Sequence, residues 1–191
     1  MRRVSVPTDR VALIGVGASS LVLDLVASGY CSIDAVDLSR DALNQLKLRL
    51  DQRLENIDGV GKIESINEVQ SGGVRFVVSD VRNVHFDSLV DLWHDRATLH
   101  FLNDPLDQAQ YASRAAESVR SGGHLIVATF GANGPEQCSG LPVTRHTSDS
   151  LQALFGDSFD MLDCFDVEHT TPWGSTQAFT YAVFKRKRAR Q

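Results

Sequence analysis

Residues 11–16 (VALIGV), running into Gly17, Ala18 and Ser19, constrain this chain more than any other stretch. A continuous apolar run of this kind reads as a strand buried on both faces, as in the middle of a parallel sheet. Residues 19–28 (SSLVLDLVAS) then read as a helix, with Ser19 as its N-cap and Gly29 as its stop. Residues 32–37 (SIDAVD) read as a second strand ending in a carboxylate. Strand, glycine bend, helix and strand in this order predict a βαβ unit, and with it an α/β sheet.

The rest of the chain continues the alternation. Residues 39–54 form an amphipathic helix capped by Ser39, with Leu43, Leu46, Leu50 and Leu54 on one face. Residues 56–73 are polar and glycine-bearing and read as an irregular insertion. Strands are expected at 74–79 (VRFVVS), within 88–93, and at 124–130 (HLIVATF). A helix over 104–119 carries Pro105 in its first turn and ends at Ser121, Gly122 and Gly123. A long loop, 131–146, precedes a short helix over 147–155. Residues 159–167 and 177–185 form a terminal strand pair around a turn with Pro172 and Gly174. The expected fold is one domain over 1–191 with a short N-terminal tail, 1–10. Its sheet is mostly parallel and seven-stranded and ends in an antiparallel hairpin.

The glycine bend and two strand-end carboxylates carry the ligand signal. Gly15 permits a tight turn, and Gly17 lets the backbone approach a ligand without a Cβ in the way. Asp37, about 20 residues on, can accept hydrogen bonds from both hydroxyls of a ribose. Ser20 stands where a dinucleotide fingerprint has Gly or Ala, which turns the reading from a pyrophosphate toward a nucleoside without phosphates. Asp80 can accept from an adenine amino group, and Val81 can offer its backbone N–H to the ring. The plain alternatives are a tight turn without a ligand at the glycines and a turn or cap carboxylate at Asp80.

Charge and composition exclude some classes. The net charge is −5, against the basic face of a general polyanion binder, so nucleic acid is not the expected partner. The basic end, Lys185, Arg186, Lys187, Arg188 and Arg190, is short and reads as solvated. Cys31, Cys138 and Cys164 have neither disulfide nor zinc spacing. Residues 1–10 lack the apolar core of a signal peptide, and no apolar run approaches the ~20 residues of a membrane span. A cytoplasmic protein with no metal, no membrane partner and a small-molecule ligand is expected, with self-association open.

Four segments in order resemble class I S-adenosylmethionine-dependent methyltransferases: LIGVGASSL (13–21), AVDLS (35–39), VVSDV (77–81) and VRSGGHLIVATF (119–130). DLWHDRATLHFL (91–102), CSGLPVTRH (138–146) and TPWGSTQAFTYAVFKR (171–186) resemble a bacterial subgroup with a WHDRAxxHFL motif. The resemblance implies a Rossmann-like fold, S-adenosylmethionine as cofactor and S-adenosylhomocysteine as product. It implies Gly15, Val16, Gly17, Ser19, Asp37, Leu38, Asp80 and Val81 on the cofactor, with Trp93 or His94 walling its methionine portion. Arg96 can pair with the methionine carboxylate unless Asp95 holds it, and His94 or His100 can accept a proton. Cys138, Arg145, His146 and His169 are the candidate acceptor-side groups, with Glu136 and Gln177 nearby. Relatives carry an N-terminal helical lid before the first strand, whereas ten residues precede it here. That departure keeps open a non-catalytic binding module beside the methyltransferase. A nicotinamide-linked oxidoreductase is the third reading, permitted by Asp37 and opposed by Ser20 and the antiparallel ending.

Overall fold

The computed structural model describes residues 4–17, 19–55, 70–71, 73–171 and 174–188. The apolar run forms strand β1 (Val11–Ile14), whose four residues are all buried. It is followed by α1 (Leu21–Ala27), β2 (Ile33–Asp37) and α2 (Arg40–Glu55). Helix α1 begins two residues later than its sequence signal. Ser20 is the N-cap but its side chain caps no backbone N–H, and the Ser19 hydroxyl accepts from Leu21 N–H at 3.2 Å.

Then come β3 (Gln70–Ser71), β4 (Val74–Val78), β5 (Val90–Arg96) and a 3-10 turn (Leu99–Phe101). Helix α3 (Pro105–Ser118) runs directly into β6 (Val119–Phe130). The short strands β7 (Gln137–Cys138) and β8 (Leu141–Pro142) pair within the 131–146 loop. Helix α4 (Ser148–Phe155), β9 (Phe159–Thr170) and β10 (Thr176–Arg186) complete the order. Most of the expected insertion, 56–69 and 72, lies outside the described residues, but 70–71 pair antiparallel with β4.

Seven strands of four or more residues lie in the order β4-β2-β1-β5-β6-β10-β9, with β3 on the β4 edge. The pairs from β4 to β6 are parallel, and β10 is antiparallel to both β6 and β9. This is the expected Rossmann-like fold with its antiparallel hairpin. From β1 the chain first moves to β2 and later returns to β5 on the other side. The switch point, and the crevice it opens beyond the strand ends, lies between β2 and β5 over β1.

Two differences from the sequence reading matter. Strand β5 starts at Val90 and runs on to Arg96, so Trp93, His94, Asp95 and Arg96 all lie within it. The Ser121-Gly122-Gly123 segment is an irregularity in β6: pairing jumps from Val90↔Val119 to Leu92↔His124, with Gly122 at φ 78°. Each sheet face has its own core. Leu13, Leu92 and Ile126 pack under Val22, Leu25, Leu43, Leu46 and Leu50. Ile14, Trp93, Leu125, Val127 and Phe184 pack under Tyr111, Ala115, Leu151 and Phe155.

Candidate functional site

Both cavities beyond the carboxyl ends of the central strands share Ile14, Gly15 and Ala97. The larger, about 640 Å³, lies over β2 and β4 and is lined by Asp37, Leu38, Asp80, Val81, Phe101 and Leu102 among others. The smaller, about 320 Å³, lies over β1, β5 and β10. Its wall includes Val16, Gly17, Ser19, His94, Arg96 and Phe179. Volumes of this order are usual for small-ligand sites.

The glycine bend is shaped by close packing on one side and left open on the other. Gly15 has φ 61°, and a Cβ there would run into the Thr98 hydroxyl. Gly17 has φ 44°, and a Cβ there would meet nothing within 4 Å. Asp37 holds the bend from β2: one carboxylate oxygen accepts from Gly17 N–H at 2.8 Å and the other from Ser39 N–H at 2.8 Å. A carboxylate has about four acceptor positions, so two remain, one on each oxygen. Leu38 beside it is 73% exposed and lies against the larger cavity.

Asp80 is more heavily engaged. One oxygen accepts from Arg82 N–H and Nε, both at 2.9 Å, and the other from Arg82 Nη2 at 2.5 Å. Arg82 also reaches Asp107 at 2.6 Å. The Arg82 guanidinium holds the Asp80 carboxyl below its ordinary value. By the same count of acceptor positions Asp80 keeps one, toward a cavity that Val81 also lines.

Strand alternation divides the WHDR cluster. Asp95 is fully buried and accepts from Thr98 N–H at 2.9 Å, Leu99 N–H at 3.0 Å and the Tyr111 hydroxyl at 2.7 Å. Tyr111 in turn accepts from Trp93 Nε1 at 3.1 Å. Burial raises the Asp95 carboxyl to about 6 despite these donors. Trp93 is fully buried and lines neither cavity, which corrects the expectation that it walls the cofactor. Asp95 does not hold Arg96, because adjacent strand residues point to opposite faces.

His94 and Arg96 face the smaller cavity. Burial, with a smaller contribution from the Arg96 charge, pushes the His94 imidazole down to about 4. The Arg96 guanidinium sits 5.7 Å over the centre of the Phe179 ring. Ala97, at the junction of the two cavities, is held at φ 70°, with its N–H bonded to Ala128 at 2.8 Å. A non-glycine residue in that region stores strain, and strain of this kind gathers at ligand sites.

His100 lies elsewhere. It is fully buried between Phe101 and Phe130, with ring centroids 4.6 and 4.5 Å away. Among the described residues neither ring nitrogen has a hydrogen-bond partner, and burial lowers its pKa to about 4. It lines neither cavity, so the expectation that it takes an acceptor's proton does not survive this placement. Of the acceptor-side candidates, Cys138 and His169 line the smaller cavity, and Gln177 joins them from β10. Arg145 instead pairs with Glu136 at 3.2 Å, and buried His146 meets Ser150 at 3.4 Å; neither lines a cavity. Sequence reasoning missed Phe130, Phe179, Ala97 and Phe101. The Phe130↔Phe179 pairing of β6 with β10 was not legible locally, because it depends on strand order.

An open glycine cradle, a strand-end carboxylate with two free acceptor positions and a second cavity at the switch point give this α/β sheet a site with the shape and acceptors that suit a nucleoside. Residues 13–127, more than half of the chain, match the methyltransferase domain family. The chain belongs to that family; its cofactor is S-adenosylmethionine and its product S-adenosylhomocysteine. Among solved structures, an S-adenosylmethionine-dependent methyltransferase from Methanosarcina mazei superposes with TM-score 0.73 at 18% identity, covering 98% of this chain and 97% of that one. The 1,6-didemethyltoxoflavin N1-methyltransferase of Burkholderia thailandensis gives 0.66 at 19% identity, over 94% and 72%. The N-methyltransferase NodS of Bradyrhizobium japonicum, in complex with S-adenosylhomocysteine, gives 0.67 at 11% identity, over 94% and 79%. At these identities the likeness concerns the fold. No curated protein matches the sequence. Among the described residues no helix is long and apolar enough to cross a membrane, and no cluster of three or more ligating side chains could hold a metal.

Proposed function

We propose that this chain transfers the methyl group of S-adenosylmethionine to a small-molecule nucleophile by in-line displacement. The observation that carries the reading is Asp37. Its two occupied positions fix the glycine bend, and its two free positions match the two hydroxyls of a ribose. Adenine then lies in the larger cavity between Leu38 and Val81, with the last acceptor position of Asp80 for its amino group. Gly15, Val16, Gly17 and Ser19, on one wall of the smaller cavity, face the methionine portion, and the opposite wall, with Phe130, Gln177 and Phe179, receives the acceptor.

The acceptor's lone pair forms the new bond to the methyl carbon as the carbon–sulfur bond breaks, and that electron pair stays on a neutral thioether. No acid is needed for the leaving group. The protein's work is alignment and exclusion of water. His94 stands at the acceptor side as a neutral imidazole. Burial makes it a weak base, so it suits a hydrogen-bonding role toward an acceptor that arrives with its lone pair available.

Calorimetry with S-adenosylhomocysteine tests the cofactor half of this reading. The native protein binds it, and Asp37→Ala weakens binding by roughly 10–100-fold, as expected for losing charge-assisted bonds worth about 1.5–3 kcal/mol. Absence of binding to the native protein would overturn the proposal. Methyl release to a panel of small nucleophiles, followed as S-adenosylhomocysteine formed, tests the transfer half.

A further inference from the structure

We infer that the acceptor is a small organic anion with an apolar, planar body, and that Arg96 reads its charge. This rests on the methyltransferase reading and names the substrate class of its second cavity. It also moves Arg96 away from the cofactor's own carboxylate, which the sequence suggested for it.

Position gives the first argument. The glycine bend follows β1, whereas Arg96 ends β5 and its guanidinium lies over Phe179 on β10. Strands β5, β6 and β10 are successive neighbours, so Phe179 stands about 10 Å from β5 on the side away from β1. The charge is therefore directed away from the methionine side of the site, toward the wall made by Phe130, Phe179, Gln177 and His169.

Charge gives the second. Arg10, Arg75, Arg82, Arg114, Arg120 and Arg145 each face a carboxylate. Arg96 has no carboxylate partner among the described residues, although the chain carries net charge −5. Its contact is the Phe179 ring face, which positions a cation without neutralising it. Among the described residues no Asp or Glu lines this cavity, and Arg96 is its one permanently charged side chain. A guanidinium so held presents a planar fork to a carboxylate or similar oxyanion.

The surrounding surface gives the third. Phe130 and Phe179 meet at 4.9 Å between ring centroids and offer apolar faces beside the guanidinium. The same sheet face continues outward as Tyr181 and half-exposed Phe165, stacked at 5.7 Å and 4°. A flat hydrocarbon or heteroaromatic body fits such a wall. Next to a sulfonium and a guanidinium, a negatively charged guest is favoured over a neutral one by direct attraction.

The test uses benzoate as probe, with benzamide as its neutral isostere, on the full chain saturated with S-adenosylhomocysteine. Benzoate is expected to bind at least about tenfold tighter than benzamide, the least a charge-assisted pair supplies. Arg96→Gln should erase that difference, Arg96→Lys should retain part of it, and both should bind S-adenosylhomocysteine as the native protein does. Equal binding of benzoate and benzamide, or no benzoate binding, overturns the inference while leaving the methyltransferase reading intact. A tenfold loss of S-adenosylhomocysteine affinity in Arg96→Gln overturns it too, because the arginine would then hold the cofactor. Failure of the native protein to bind S-adenosylhomocysteine identifies the underlying reading as the fault.

Discussion

The two faces of β5 carry the same kinds of residue to opposite ends. Trp93 and Asp95 point toward α3, and every polar atom there is matched: indole to Tyr111, Tyr111 to Asp95, Asp95 to the turn at Thr98 and Leu99. His94 and Arg96 point toward the open crevice, where one is a neutral imidazole and the other a cation on a ring face. A buried carboxylate with three donors is a scaffold, since removing it strands all three donors at once. An arginine without a carboxylate at a cavity wall leaves its binding capacity for something outside the chain.

The sharpest way to break this contrast is to truncate one residue on each face. Asp95→Ala should lose about 3 kcal/mol or more of stability in urea unfolding, because two backbone N–H groups and a phenol lose their buried acceptor. Arg96→Gln, its neighbour in sequence, should stay within about 0.5 kcal/mol of the native protein, as exposed substitutions do. Similar losses at the two positions would mean that the faces are not divided as described.

The division also explains what could be read from the sequence. The βαβ start, the strand-end carboxylates and the capped helices are encoded locally. Asp104 accepts from Leu106 N–H at 2.8 Å at the start of the helix that Pro105 announces; the reciprocal cap of Thr147 and Ser150 emerged only in the structure. The WHDR cluster was harder. Its residue types suggest one constellation, but its strand period sends alternate members to a core and a cavity. Reading the fourth strand as ending near Trp93, when it continues to Arg96, removed that period from view. His100 and His146 were beyond reach for another reason: burial, which separates a catalytic imidazole from an inert one, is set by Phe101 and Phe130 and by a loop 40 residues on. Phe179 became part of the site only through the insertion of β10 beside β6.

Acid pH probes the buried members of both faces together. A histidine whose folded pKa lies below its ordinary 6.5 takes up its proton first in the unfolded chain. Its contribution to stability is therefore full above pH 6.5 and is lost as pH falls toward about 4. His94 and His100 both behave this way. Asp95 works against them: raised from 3.8 to about 6, it gains a proton in the folded state first and favours folding as pH falls through that range. Two imidazoles outweigh one carboxyl, so stability should drop by roughly 2 kcal/mol between pH 7 and pH 5. Urea unfolding at the two values measures it. A rise in stability on acidification would show that Asp95 dominates.

The two glycines of the bend sharpen the same distinction between scaffold and cavity. Gly15→Ala drives a methyl into Thr98 and should reduce stability by about 2 kcal/mol, with overpacking and the left-handed backbone acting together. Gly17→Ala meets no neighbour, so its effect on folding should be only the backbone strain, about 1 kcal/mol. Its methyl projects into the cradle, and S-adenosylhomocysteine affinity should fall about tenfold, a loss of 1.4 kcal/mol. Unchanged affinity would mean that the ligand does not approach the backbone there.

The smallest expected effect concerns His100. Its two partnerless nitrogens sit among Phe101 and Phe130, so His100→Phe removes buried polar atoms without stranding a partner. Replacing a group of this kind by an apolar one of similar shape is close to neutral, so stability at pH 7 should change by less than about 1 kcal/mol. The drop in stability between pH 7 and pH 5 should shrink by well over half, because Asp95 then opposes nearly all of what the His94 imidazole contributes. S-adenosylhomocysteine affinity and methyl release should stay near native, since the ring touches neither cavity. A large loss of turnover with affinity retained would return His100 to the chemistry and redraw the boundary between the buried side of the site and its open one.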